Sequence, residues 1–430
     1  MKKSNFFKLT LMLVIGGFIT KILGMVIKIV TTRYIGAMGM GIYMLIMPTY
    51  SLLIAISGLG FPVAISKLVA EEKYNNKNIV LGLIPISLIL DFTIMILLFI
   101  FSKYISIHLL HESRTYYGLI SIGFILPFIS ISSILRAYFF GKTYMFPHVL
   151  SNVLEDVIRL VLIILFLPNI YNNSIEYAVA FLFLISIASE LSSIIIFMLF
   201  LPKKIKISKN DFSIKNDNLK KVLNISLPTT GSRLIGNIGY FLEPIILTFV
   251  LSNIYSNKFI VTEYGILNGY VMPILLLPSF FTMAISQALI PIISNYWSKN
   301  NNKMVLRKIK QAIFYSLLIG IPATLIFMFI PQIPMKLIYN TTDGIAYIKV
   351  LAPICLFHYI QSPLTSALQA MGLAKEAMNG TLIGMIIRTI CLFVLSYLHI
   401  GLWGLVIATS INIIVVTIHQ MIKIKNVLKK

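Results

Sequence analysis

Long apolar runs separated by short polar breaks fill this chain from end to end. A helix crossing the hydrocarbon layer of a membrane needs about 20 apolar residues. Twelve runs meet that length: roughly 9–35, 41–70, 79–101, 118–140, 147–168, 177–201, 222–251, 263–293, 310–331, 346–371, 378–398 and 402–422. The longest break, Pro202–Lys221, separates six runs from six, and none of the breaks has room for a soluble domain. The pattern predicts an all-α integral membrane protein. It has an N-terminal six-helix lobe over 1–201, a basic cytoplasmic linker over 202–221 and a C-terminal six-helix lobe over 222–430. Lys2, Lys3 and Lys8 before Leu9–Phe18 imitate a signal peptide. No A-x-A-like cleavage site follows, and the apolar run continues to about Ile35, so it reads as a retained first span.

Composition agrees. Of 430 residues, 58% are hydrophobic and 12% charged, with a mean hydropathy of +0.91. An ordinary soluble domain is about 45–50% apolar and about 25% charged. A water-soluble fold of this size could not hide so much apolar surface, which excludes a soluble enzyme, a secreted disulfide scaffold and a disordered chain. Cys355 and Cys391 lie within apolar runs and read as small apolar side chains. His108 and His111, at i, i+3, have no further metal-ligand spacing, so no metal site is expected.

The formal net charge is +22. With an even number of spans, both termini share a side. Of the 36 Lys and Arg, 23 fall on that side, five on the opposite loops and eight within the spans. The positive-inside rule places the richer side, with both termini, in the cytoplasm of a multi-pass plasma-membrane protein. Most of the charge is thus a topology signal that also attracts anionic lipid headgroups; nucleic acid is not an expected partner.

The halves resemble each other. Gly41-Ile42 and Met47-Pro48 recur as Gly265-Ile266 and Met272-Pro273. Leu135-Arg136-Ala137 with Lys142 recurs as Leu368-Gln369-Ala370 with Lys375, and Arg159 recurs as Arg388. A six-span unit used twice enters from the same side each time, so the copies are expected to be related by a pseudo-two-fold axis along the membrane normal, with a cleft between them.

The eight intramembrane cations carry the functional argument. Arg33, Lys67 and Arg136 lie within about two turns of a span end and are expected to snorkel to headgroups. Lys21, Arg159, Arg233 and Arg388 each lie roughly 15–18 Å deep by helical rise. A centred Lys or Arg costs about 2.5–3.5 kcal/mol even on the lenient insertion scale, so these four must face a wet cavity or have partners. Lys28 follows Lys21 by seven residues, which puts both on one face with Gly17 and Gly24. The chain has 29 Lys and only seven Arg, yet five of the Arg lie in spans. Guanidinium stays charged and offers a fork for phosphate. Glu155 and Asp156 precede Arg159 at i, i+4 and i, i+3, so a local ion pair is expected there. Asp91, Glu155, Asp156, Glu190 and Glu243 are the acids within spans, expected as counter-ions to the cavity bases or as a coupling-ion site. Pro48, Gly60, Pro62, Pro228, Gly231, Gly236 and Pro273 interrupt spans and are hinge candidates.

Several stretches carry a family resemblance: Lys21-Ile-Leu-Gly24, Tyr34-Ile-Gly-Ala-Met-Gly-Met-Gly-Ile-Tyr43, Gly60-Phe-Pro-Val-Ala-Ile-Ser-Lys67 and Leu135-Arg-Ala-Tyr-Phe-Phe-Gly-Lys142, with Glu155 and Arg159. The chain resembles the multidrug, oligosaccharidyl-lipid and polysaccharide exporters, and within them the branch of stage V sporulation protein B and the lipid II flippases. The clearest matches cover roughly residues 8–165. The resemblance implies two six-helix lobes, alternating access and a cationic cavity for a lipid-linked pyrophosphoryl saccharide such as a cell-wall precursor. Lys21 matches the family's first-helix cavity base, and Lys28 stands where relatives often carry Arg. Many relatives have fourteen spans against the twelve read here. The expected function is therefore flipping of an undecaprenyl-pyrophosphate-type saccharide, with Lys21, Lys28, Arg233, Arg388 and Arg159 binding the pyrophosphate. Beyond that substrate the expected partners are membrane lipids, in a monomer with no cofactor, and coupling to Na+ or H+ stays open. The alternatives are a cation-coupled multidrug exporter of the same fold and, third, a membrane glycan polymerase or transferase.

Overall fold

The computed structural model describes residues 3–71, 76–201 and 208–429. Residues 202–207 of the basic linker lie outside this range, as do Lys2, Lys73 and Lys430, which the topology count above includes. Among the described residues the fold is helical throughout, with ten helices long and apolar enough to cross a membrane. Contacts divide the chain into two units, Met1–Pro244 and Ile245–Lys430, with one long helix running across the division.

The first unit begins with α1 (Lys3–Ser57), in which two spans meet at a corner at Gly36, φ 64° and ψ −173°. That left-handed φ is open to glycine at little cost and strained for other residues, so the boundary expected at 36–40 narrows to one residue. The second span continues past Gly58-Leu59-Gly60 into α2 (Phe61–Ala70). Helices α3 (Asn76–Tyr104), α4 (Tyr116–Gly141), α5 (Met145–Asn173) and α6 (Ile175–Phe200) follow. Only Ser174 joins α5 to α6, and its hydroxyl caps α6 by accepting from the Glu176 N–H at 3.2 Å. Helix α7 (Asn216–Leu251) closes this unit and opens the next.

Apolar clusters among the described residues hold the first unit. Phe61, Ile65 and Leu68 of α2 pack with Leu83, Ile134 and Val222. Ile35 and Met40 pack on Ile163, Leu167 and Leu182. Phe139 stacks on Phe197 with ring centroids 5.2 Å apart. Outward positions are equally apolar: Ile100 is 63% exposed and Leu199 73%. Helices apolar on every side are what a lipid solvent demands.

In the second unit the interrupted span comprises α8 (Asn257–Gly265), a π-helical turn at Ile266–Val271, α9 (Met272–Leu275) and α10 (Leu277–Ser298). The buried Tyr359 hydroxyl donates to the Leu275 carbonyl at 2.6 Å, next to the break. Helices α11 (Asn302–Phe329), α12 (Gln332–Tyr339), α13 (Ile345–Ala370), α14 (Ala374–Ser396) and α15 (Trp403–Lys429) complete it. Leu289, Ile293, Ile309, Leu364, Leu368 and Ile424 form one apolar cluster in it.

Candidate functional site

In α1, Gly17, Lys21, Gly24 and Lys28 follow one another at four- and three-residue steps along one face. A Cβ added at Gly17 or Gly24 would meet nothing within 4 Å, whereas one at Gly16 would strike the Val149 side chain. One side of α1 is therefore packed on α5 and the lysine side is open. Lys21 is exposed and Lys28 half-buried, and neither has an acid partner among the described residues.

Across α4, α5 and α6 the charges behave differently. Glu155 Oε2 accepts from Arg136 Nη2 at 2.9 Å, and Glu155 Oε1 from Arg159 Nη2 at 3.1 Å. Asp156 lies 3.8 Å from Arg159 Nη1. From α6, the Ser193 hydroxyl donates to Glu155 at 3.3 Å, and the Ser189 Oγ accepts from Arg159 at 3.3 Å. Ser132 of α4 donates its hydroxyl to Glu190 of α6. Two guanidinium groups and two carboxylates thus balance within one half-buried network, and the buried Glu190 lies beside them. The i, i+4 and i, i+3 pairing of Arg159 is as its spacing predicts. Arg136 differs from expectation: instead of snorkelling outward it bridges to Glu155. The two are 19 residues apart on different helices, so no periodicity within one helix could have paired them.

Asp91 of α3 is fully buried and takes the Ser57 hydroxyl; it makes no ion pair among the described residues. Glu155 and Asp156 thus meet bases, whereas at Asp91 the neighbours of α3 are serines. Glu243 is buried on α7.

Arg233 sits on an exposed face of α7 with no acid partner among the described residues, and added Cβ atoms at the neighbouring Gly231 and Gly236 would meet nothing within 4 Å. In the second unit, Arg388 of α14 donates from Nε to Thr409 Oγ1 of α15 at 3.4 Å. Both border a small cavity of about 30 Å³ that Asn268 and Met272 also line. Arg159 and Arg388 occupy the fifth span of their halves, and each reaches a hydroxyl on the sixth.

The hinge candidates separate into two kinds. Gly60 adopts φ 64° and caps α2, with Pro62 in its first turn, and Pro273 opens α9 after the π turn. Pro48 and Pro228 lie inside helices that continue through them, and Gly231 and Gly236 are likewise helical. Gly36, Leu59 with φ 41°, and Leu276 mark breaks that proline and glycine counting alone did not single out.

A family profile described as "Polysaccharide biosynthesis protein" matches residues 6–297, and one described as MatE matches 234–394. Stage V sporulation protein B of Bacillus subtilis (strain 168) is 38% identical over 445 residues, covering 100% of this chain and 85% of that protein. The chain belongs to the polysaccharide biosynthesis protein family, in the stage V sporulation protein B branch of the exporter superfamily named above. Another relative in this branch is the B. subtilis lipid II flippase MurJ, 22% identical over 459 residues, 97% of this chain and 82% of that one. The fold agrees with an inward-facing multidrug resistance MATE family transporter of the MOP superfamily. Its TM-score is 0.76 at 16% identity, over 95% of this chain and 94% of that one. A MOP superfamily transporter from Pyrococcus furiosus, whose binding pocket is described as of reverse polarity, has a TM-score of 0.61 at 18% identity, over 98% and 96% of the two chains. Membership of this family makes the protein a multi-pass membrane flippase or exporter.

Proposed function

We propose that this protein flips an undecaprenyl-pyrophosphate-type lipid-linked saccharide across the plasma membrane by alternating access, and that Lys21, Lys28 and Arg233 grip its pyrophosphate. One observation carries the reading. Glu155 and Asp156 are engaged by Arg136 and Arg159, while Lys21, Lys28 and Arg233 have no acid among the described residues. Unpaired cations in apolar helices call for an anion, and phosphate takes charge-assisted hydrogen bonds from both ammonium and guanidinium. A cavity for cationic drugs would need acids and aromatics left over instead. Arg159 and Arg388 are secondary contributors, the first occupied by its own acids and the second held to Thr409.

The protein acts as a monomeric transporter rather than an enzyme, with both termini and the 202–221 linker cytoplasmic. It works without a cofactor. The driving force is membrane potential or an H+ or Na+ gradient; each unit charge moved through 100 mV is worth about 2.3 kcal/mol. The name of one relative, a lipid II flippase, supports a lipid-linked substrate. The test is flipping of a fluorescent lipid-linked pyrophosphoryl saccharide in vesicles containing the purified protein. Two charge-assisted contacts at about 1.5–3 kcal/mol each predict that Lys21→Ala combined with Arg233→Ala slows flipping by at least tenfold. An unchanged rate would remove these residues from the site.

A further inference from the structure

Asp91 stands apart from the charge network. It lies roughly 22 Å along α3 from Asn76 and roughly 20 Å from Tyr104 by helical rise, so it sits near the middle of the membrane. Ser57, the last residue of α1, donates its hydroxyl to Asp91 Oδ1. Ser130 of α4 lies 2.9 Å from that same Ser57 oxygen. Oδ2 is buried with no hydrogen-bond partner.

Among the described residues, no element packed against α3 brings charge to this point. Helix α1 offers Ser57. Helix α4 offers Ser130, and its Arg136, six residues further on, is committed to Glu155. Lys67 of α2 is exposed and opens into a groove with Val63, Phe140 and His148. The turn after α3 carries His108, whose ring packs tilted against Tyr104, and the 209–212 turn carries Asp211, which pairs with Lys77. Both lie more than roughly 20 Å from Asp91 along the helix. An ionised carboxylate buried without a cation costs several kcal/mol, which two hydroxyls do not offset. A bound metal cation fits no better: hard cations gather six or more oxygens around themselves, whereas these three side chains hydrogen-bond directly to one another.

We propose that Asp91 is a proton-binding site, whose carboxyl carries a proton in this state and whose release of it loosens the break in the second span. The step is transfer of H+ from the neutral acid to water, leaving the carboxylate and hydronium: the acid's O–H bond breaks and an O–H bond to water forms. Its mechanical link is direct. Ser57 leads straight into Gly58-Leu59-Gly60, where Leu59 and Gly60 take left-handed φ values of 41° and 64°. A newly charged Asp91 needs more donors or water than two serines supply, and the adjacent break is where the chain can give. This inference does not rest on what the protein transports.

Infrared difference spectroscopy of the purified protein in vesicles tests it without a transport assay. The wild type shows a protonated-carboxyl stretch at neutral pH, and one component of it is lost in the near-isosteric Asp91→Asn. Ser57→Ala, which keeps the acid, shifts that component because the carboxyl loses a hydrogen bond; this variant decides the matter if Asp91→Asn does not fold. A component from another buried acid, such as Glu190 with its Ser132 hydroxyl, would persist in both variants. An unaltered band in both variants overturns the proposal, as does a band that disappears on adding sodium at constant pH. Flipping measured in parallel separates the two ideas, since the band can fail while Lys21 and Arg233 still matter, and the reverse.

Discussion

Glu155 accepts from three donors on three helices: Arg136 of α4 at 2.9 Å, Arg159 of its own helix at 3.1 Å and Ser193 of α6 at 3.3 Å. Glu155→Gln keeps the side chain's size and one acceptor oxygen but removes the charge. Arg159 keeps Asp156 at 3.8 Å, so most of the loss falls on Arg136. Breaking a fully buried pair costs about 3–5 kcal/mol. The side chains here are 29% exposed for Arg136 and 13% for Glu155, so partial access to solvent lowers that to about 2–3 kcal/mol. Arg136→Met alone should cost less, about 1 kcal/mol, since Glu155 still has Arg159 and the apolar replacement leaves no stranded charge. The double variant should then be more stable than the sum of the singles implies, by about 1–2 kcal/mol of coupling. Reversible unfolding in mixed micelles measures all four corners of the cycle. Additivity to within about 0.5 kcal/mol would refute the claim that this pair, rather than general packing, holds α4 against α5.

Two glycines make a second, paired prediction. An alanine at Gly60 must adopt φ 64° and place its Cβ 2.6 Å from the Ser226 backbone oxygen, whereas one at Gly231 meets nothing within 4 Å. Gly60→Ala should lose at least about 2 kcal/mol, since left-handed strain alone is worth about 1–2, and Gly231→Ala should gain about 0.5–1 from helix propensity; equal unfolding midpoints would contradict this. A third prediction concerns the Asp211 turn, which lies outside the spans. The Lys77 ammonium, then the Ser208 N–H, hold the Asp211 carboxyl below the usual carboxylate range. A carboxyl lowered on folding stabilises the turn above its unfolded value, about 3.9, and that contribution fades as pH falls through the folded value. Amide exchange over Ser208–Phe212, corrected for intrinsic rates, should quicken in acid in the wild type and stay flat in Asp211→Asn. Identical profiles would remove the Lys77 pair as the cause.

The succession of helices was legible in the chain because a bilayer imposes a length and a polarity on every span, and both are written locally. Arg159 and its two acids could be read for the same reason, since i, i+3 and i, i+4 neighbours meet within one helix. The open lysine face of α1 followed from its spacing, though only packing showed that Gly16 is filled by Val149 while Gly17 and Gly24 are not. What the chain concealed were meetings between helices: Arg136 turning inward to Glu155, and Ser57 and Ser130 converging on Asp91. The exact residues of the breaks at Gly36 and Leu59 were also hidden, because whether a glycine or a neighbour of one bends depends on what presses against it, while Pro48 and Pro228 stay helical. A single helix carries its own periodicity, but which face turns towards which neighbour is settled only by the joint packing of all the helices in the bundle.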